Sequence, residues 1–121
     1  MPLNNYVIPG EDRTQGVRSE GREPNLKRYF IYLLASKPYG TLYVGVTGDL
    51  AERTWQHRSD LIDGFTKKYG VHLLVWFEEW GDIRDAIGRE KPIKGWNRAW
   101  KIKLIEKQNP RWQDLYEDFL K

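Results

Sequence analysis

From residue 28 onward, short apolar runs and amphipathic stretches follow one another in a definite order. "YFIYLLAS" and "TLYVGVT" flank a "KPYG" whose proline and glycine mark a tight turn, so these residues predict a β-hairpin. "GDLAERTWQHRSDLI" follows, with Asp49 in N-cap position and Leu50, Arg53, Thr54, His57 and Leu61 at helical spacing. "GFTKKYG" is expected as a polar loop bounded by glycines, and "VHLLVWFEEW" as a third strand. In "GDIRDAIGREKPIKGW" a helix starts near Asp82 and carries Ile83, Ala86, Ile87 and Glu90 in register; Pro92 should kink or end it. "NRAWKIKLIEKQ" predicts a further helix stopped by "NP", and "RWQDLYEDFLK" a terminal one. The expected order is β, β, α, β, α, α, α, an α/β (α+β) arrangement.

The first 27 residues mix proline, glycine and charges with no sustained period, so they read as a flexible arm with too little apolar surface to offset its ordering entropy. The chain of 121 residues fits one domain, since 40% hydrophobic and 14% aromatic residues suffice for a core without the arm. With no cysteine, disulfides and thiolate metal sites are excluded, which suits a cytoplasmic setting. Apolar runs such as "YFIYLLA" fall far short of the roughly 20 residues that cross a bilayer, so a soluble chain without membrane attachment is expected.

A net charge of +3 says little by itself, but its distribution says more. Acids and bases cancel over residues 1–27, whereas the stretch from Lys91 to Lys107 sets six cations against Glu106 alone. Trp96 and Trp100 interleave with those cations, as in a nucleic-acid footprint. A solvated helix face with both tryptophans in the core is the competing account, and a small domain's need for bulky aromatics favours the core role for both.

Tyr32 and Tyr43 sit one per strand of the hairpin, where phenol hydroxyls need partners if buried. "FIY" at Phe30–Tyr32 and "YVG" at Tyr43–Gly45 resemble the two tripeptides for which the GIY-YIG nuclease family is named, with Phe30 in place of the first glycine. Arg53 and His57 one turn apart, a third strand, and "REK" followed by "KGW" continue the similarity, and "GFTKKYG" is close to a segment of the small stand-alone bacterial members. The resemblance covers about residues 28–108, leaving 1–27 as an arm and 109–121 as a carboxy-terminal helical extension. It implies a three-stranded antiparallel sheet flanked by helices. It also implies a metal-dependent endonuclease that hydrolyses DNA to 5′-phosphate and 3′-hydroxyl ends, in repair, recombination or processing, with a protein partner as one source of specificity.

The same resemblance implies the site: Glu90 as ligand of Mg²⁺ or Mn²⁺, Tyr32 and Tyr43 on the catalytic face, Arg53 on a phosphate oxygen, and His57 beside a tyrosine. The residue types suit those roles. One carboxylate plus water and substrate oxygens satisfies Mg²⁺, a guanidinium offers two parallel donors, and a phenol of pKa about 10 can act as base only when its anion is stabilised. Glu90 between Arg89 and Lys91 also fits a surface ion pair, and two tyrosines in a sheet also fit propensity alone. Gly45 is expected where a phosphate or backbone approaches closely. Thr47, Lys67, Lys68, Lys94, Arg98 and Lys101 are expected on the DNA path. Where some members have a lysine after the second tripeptide, this chain has Val46 and Thr47; at the distance of a late family asparagine it has Lys101 and Ile102. A nucleic-acid-binding module with the same fold and weak or no cleavage is the alternative function.

Overall fold

A computed structural model describes residues 27–120; the expected arm at 1–27 lies outside them except for Lys27. The hairpin forms as strands β1 (Tyr29–Ala35) and β2 (Leu42–Thr47), followed by helices α1 (Leu50–Arg58) and α2 (Phe65–Tyr69), strand β3 (Leu73–Trp80), and helices α3 (Ile83–Gly95), α4 (Arg98–Gln108) and α5 (Tyr116–Leu120). The strands make one antiparallel sheet in the order β2-β1-β3. Being central, β1 is covered on both faces, which is why "YFIYLLA" is a continuous apolar run rather than an alternating one.

Alternate residues of β1 enter two separate cores. Ile31, Leu33 and Ala35 join Val44 and Val46 beneath α3 and α4, which contribute Ala86, Ile93 and Ile105. Phe30, Tyr32 and Leu34 face the other way, toward Leu50 of α1 and Phe119 of α5. Full burial of one such aliphatic or aromatic side chain is worth about 1.5–3 kcal/mol, so a sheet covered on both faces lets a small domain stand. Asp49 and Asp82 cap α1 and α3 as expected, through Glu52 N and through Arg84 N and Asp85 N.

Three features differ from expectation. "GFTKKYG" is not a loop but contains α2, held between Gly64 and Gly70, whose positive φ angles let the chain enter and leave one helical turn. Pro92 does not end α3, which runs on to Gly95; Gly88, whose carbonyl a proline cannot bond, is exposed, so that carbonyl is open to solvent. Trp100 is 54% exposed rather than core, set edge-on to a half-buried Trp96 at 5.9 Å. The segment expected as a carboxy-terminal helical extension contacts β3 through its first residues. Asn109 donates to the Val75 and Gln113 carbonyls, Leu115 N donates to the Leu74 carbonyl, and Trp112 is buried.

Candidate active site

The register of the hairpin creates the site. Tyr32 stands opposite Gly45, and Tyr43 stands opposite Leu34, so both phenols project on the face covered by α1. The Tyr32 ring lies across β2 itself: a Cβ at position 45 would fall within 3.0 Å of its hydroxyl and ring carbons. Gly45 was expected to admit a phosphate, and what approaches it is this ring.

One turn into α1 past Arg53, the buried His57 meets the ring. Its Nε2 is 3.2 Å from the Tyr32 hydroxyl and its Nδ1 is 2.9 Å from Thr66 Oγ1 of α2. Burial, followed by the charges of Arg53 and His72, lowers the His57 pKa to about 3, so the imidazole is neutral and carries one proton. The chain of hydrogen bonds therefore runs in one of two directions. Either Tyr32 O–H donates to Nε2 and Nδ1–H donates to Thr66, or Thr66 O–H donates to Nδ1 and Nε2–H donates to Tyr32. An imidazole held this far below its ordinary pKa is a poor acceptor for a phenol's proton. His57 is thus a fixed hydrogen-bonding partner rather than a store for protons.

Burial separates the two tyrosines, which look alike in sequence. Tyr32 is 1% exposed and engaged with His57, whereas Tyr43 is half-buried with its ring 5.4 Å from that of His57. Of the two phenols, Tyr43 is the more exposed. Thr66 was not singled out in sequence. Its segment, "GFTKKYG", was conspicuous, but a threonine nine residues past His57 carries no signal until α2 folds back on α1.

Glu90 approaches from the helix that covers the opposite face, α3, between Ala86 and Ile93. It is buried, neither carboxylate oxygen has a hydrogen-bond partner, and Lys94 Nζ stands 3.4 Å away as an ion pair. Burial raises its pKa, and Lys94 opposes that shift. A buried carboxylate that makes no hydrogen bond, with the Lys94 ammonium 3.4 Å from one oxygen, is costly and is stabilised by positive charge; a hard divalent cation such as Mg²⁺ fits that chemistry. Among the described residues no group of three or more His, Asp and Glu side chains gathers, so Glu90 would supply one protein ligand and water or substrate the rest.

The expected DNA-path residues divide. Thr47 is buried, and its hydroxyl accepts from Asp49 N to shape the β2–α1 turn, so it does not face a ligand. Lys101 feels desolvation and the charges of Arg98 and Lys94, which together lower its pKa and place the three cations near one another. The Arg98 guanidinium also holds the Tyr39 carbonyl of the hairpin turn. Lys67 and Lys68 are exposed on α2, Lys67 at 3.4 Å from Asp63. Asn97 accepts from Trp100 N as the cap of α4.

The family model of the GIY-YIG catalytic domain matches residues 28–103. The chain belongs to the GIY-YIG family. Among curated relatives it is similar to UPF0213 protein CPE1444 of Clostridium perfringens, 32% identical over 73% of this chain and 92% of that protein. A UPF0213 protein of Aeromonas salmonicida is 29% identical over 80% of this chain and 70% of its own length. UPF0213 protein SSP2268 of Staphylococcus saprophyticus is 31% identical over 66% and 96%. No solved structure matches at comparable significance. The three-stranded antiparallel sheet with helices on both faces is accordingly a GIY-YIG nuclease-type fold, which points to a DNA substrate. No helix among the described residues is long and apolar enough to cross a membrane.

Proposed function

We propose that this GIY-YIG protein is a metal-dependent DNA endonuclease whose substrate-facing phenol is Tyr43, with Tyr32, His57 and Thr66 as its rigid backing. The observation that carries this reading is the Tyr32–His57–Thr66 hydrogen-bond chain under a half-buried Tyr43. Hydrolysis forms a bond between a water oxygen and phosphorus and breaks the bond from phosphorus to the 3′ oxygen, leaving a 5′-phosphate and a 3′-hydroxyl. The water's proton goes to the Tyr43 oxygen, which acts as a phenolate after giving its own proton to solvent, and the departing 3′ oxygen takes a proton from solvent to become the hydroxyl. The positive charge of Arg53, felt at the neighbouring His57, favours that anion. Arg53 also offers donors for a non-bridging phosphate oxygen, on which negative charge accumulates. Glu90, on the helix over the other face of the sheet, would hold Mg²⁺ or Mn²⁺, which when bound would supply positive charge to the negative charge that develops on the phosphate. Lys94, Arg98 and Lys101 would attract the phosphate backbone.

The test is incubation of the purified protein with duplex, single-stranded, flapped and branched DNA, with and without Mg²⁺ or Mn²⁺. Cleavage that requires the cation, ends in 5′-phosphate, and falls at least a hundredfold in Tyr43→Phe is expected. Retained DNA binding with no product on any substrate would replace this reading with that of a binding module.

A further inference from the structure

Beside the site, α2 carries an exposed pair of aromatic rings that the hydrolytic chemistry does not use. Phe65 is 45% exposed and Tyr69 50%, although a soluble surface helix of one turn has no packing need for either. Their rings lie 4.9 Å apart, and the Phe65 ring stacks on that of Tyr43 at 6.3 Å with 27° between the planes. The three rings therefore form a continuous ladder that begins at the phenol proposed to meet the scissile phosphate. Two cations accompany it. Lys68 Nζ sits 5.4 Å from the centre of the Tyr69 ring, and Lys67 is exposed on the same turn. The Thr66 side chain points inward to His57, which fixes α2 against the site and leaves the rings on its outer side.

We propose that Phe65 and Tyr69 form a stacking platform for unpaired DNA bases next to the scissile phosphate, which makes single-stranded or flapped DNA the preferred substrate class. This inference rests on the nuclease reading of the Tyr43 site. Exposed aromatic faces interleaved with lysines suit single strands because every base has a π-face, whereas bases in an intact duplex are already stacked on one another. Lys67 and Lys68 complement the phosphates between stacked bases. Continuity with Tyr43 sets the position of the unpaired stretch, immediately beside the bond to be broken.

Binding measured in EDTA keeps the test independent of cleavage. The probes are a fluorescent oligothymidine of about 12 nucleotides and a blunt duplex of the same length, at one fixed salt concentration. Phe65→Leu and Tyr69→Leu keep an apolar side chain and remove the π-face. Each is expected to weaken oligothymidine binding about 5- to 150-fold, the equivalent of one lost base stack, with duplex binding unchanged. Phe65→Trp, with a larger face, should bind the single strand at least as well as the unaltered chain. Equal losses on both probes, or no loss on either, would overturn the platform. Absence of cleavage on any substrate would overturn the nuclease reading while leaving these binding ratios interpretable.

Discussion

Substituting Gly45 by alanine tests the close approach on which the site is built. In an unobstructed strand this change should stabilise by about 0.5–1 kcal/mol, because glycine loses more backbone entropy on folding than alanine does. Here the new methyl meets the Tyr32 hydroxyl and ring carbons inside 3.0 Å, and Tyr32 is buried with no room to retreat. Overpacking of this kind costs about 1–3 kcal/mol. Rotation of the ring away from β2 would also break the 3.2 Å contact to His57 and leave a buried imidazole nitrogen unpartnered, adding about 1–3 kcal/mol. Gly45→Ala should therefore destabilise by roughly 2–4 kcal/mol, read as a shift of about 1–2 M in the urea midpoint. The decisive comparison is Gly45→Ala on a Tyr32→Ala background, where the obstacle is gone and the sign should reverse to slight stabilisation. Chemical denaturation of all four proteins gives the coupling directly. Effects that add to within about 0.5 kcal/mol would show that the Tyr32 ring does not rest on Gly45.

Acid should find His57. Its pKa is about 3 in the folded chain and about 6.5 when unfolded, so the unfolded state binds the extra proton and stability declines as pH falls from 6.5 toward 3, by up to about 1.4 kcal/mol per pH unit. His57→Phe should flatten that part of the stability–pH curve, and an unchanged slope in urea titrations would remove His57 from the account. Tyr43→Phe should cost far more kcat than Tyr32→Phe, while Tyr32→Phe costs about 1–3 kcal/mol of stability by depriving His57 of its partner; the reverse ranking in paired kinetic and unfolding measurements would exchange their roles. Glu90→Gln should abolish cation-dependent cleavage yet leave DNA affinity in EDTA within about twofold, and undiminished turnover would rule out Glu90 as the ligand. Asn109→Ala should destabilise by about 2–4 kcal/mol, since the side chain bonds two backbone carbonyls and accepts from Gln113 N; a change below about 0.5 kcal/mol in the unfolding free energy would refute that.

Local chemistry decided much of this protein before any packing was known. The proline–glycine turn, the two flanking apolar runs, and aspartates at 49 and 82 set the hairpin and the starts of α1 and α3, because these signals act over a few residues. The two tripeptides and "REK" likewise carried the family. What depends on residues far apart in the chain could not be read that way. Trp96 and Trp100 are four residues apart, one ending α3 and the other in the first turn of α4, yet of the two it is Trp96 that packs against the core, since exposure is set by neighbouring elements and not by residue type. Pro92 is tolerated because Gly88, one turn earlier, happens to face water. Thr47 and Thr66 are both small polar residues near the site; the first bonds locally to Asp49 N, whereas packing of α2 on α1 makes the second the anchor of His57. The sharpest case is the tyrosine pair. Sequence puts one phenol on each strand with equal claim to catalysis; the register that sets Tyr32 over Gly45 buries it, and Tyr43, on the edge strand beside α2, keeps its access to solvent.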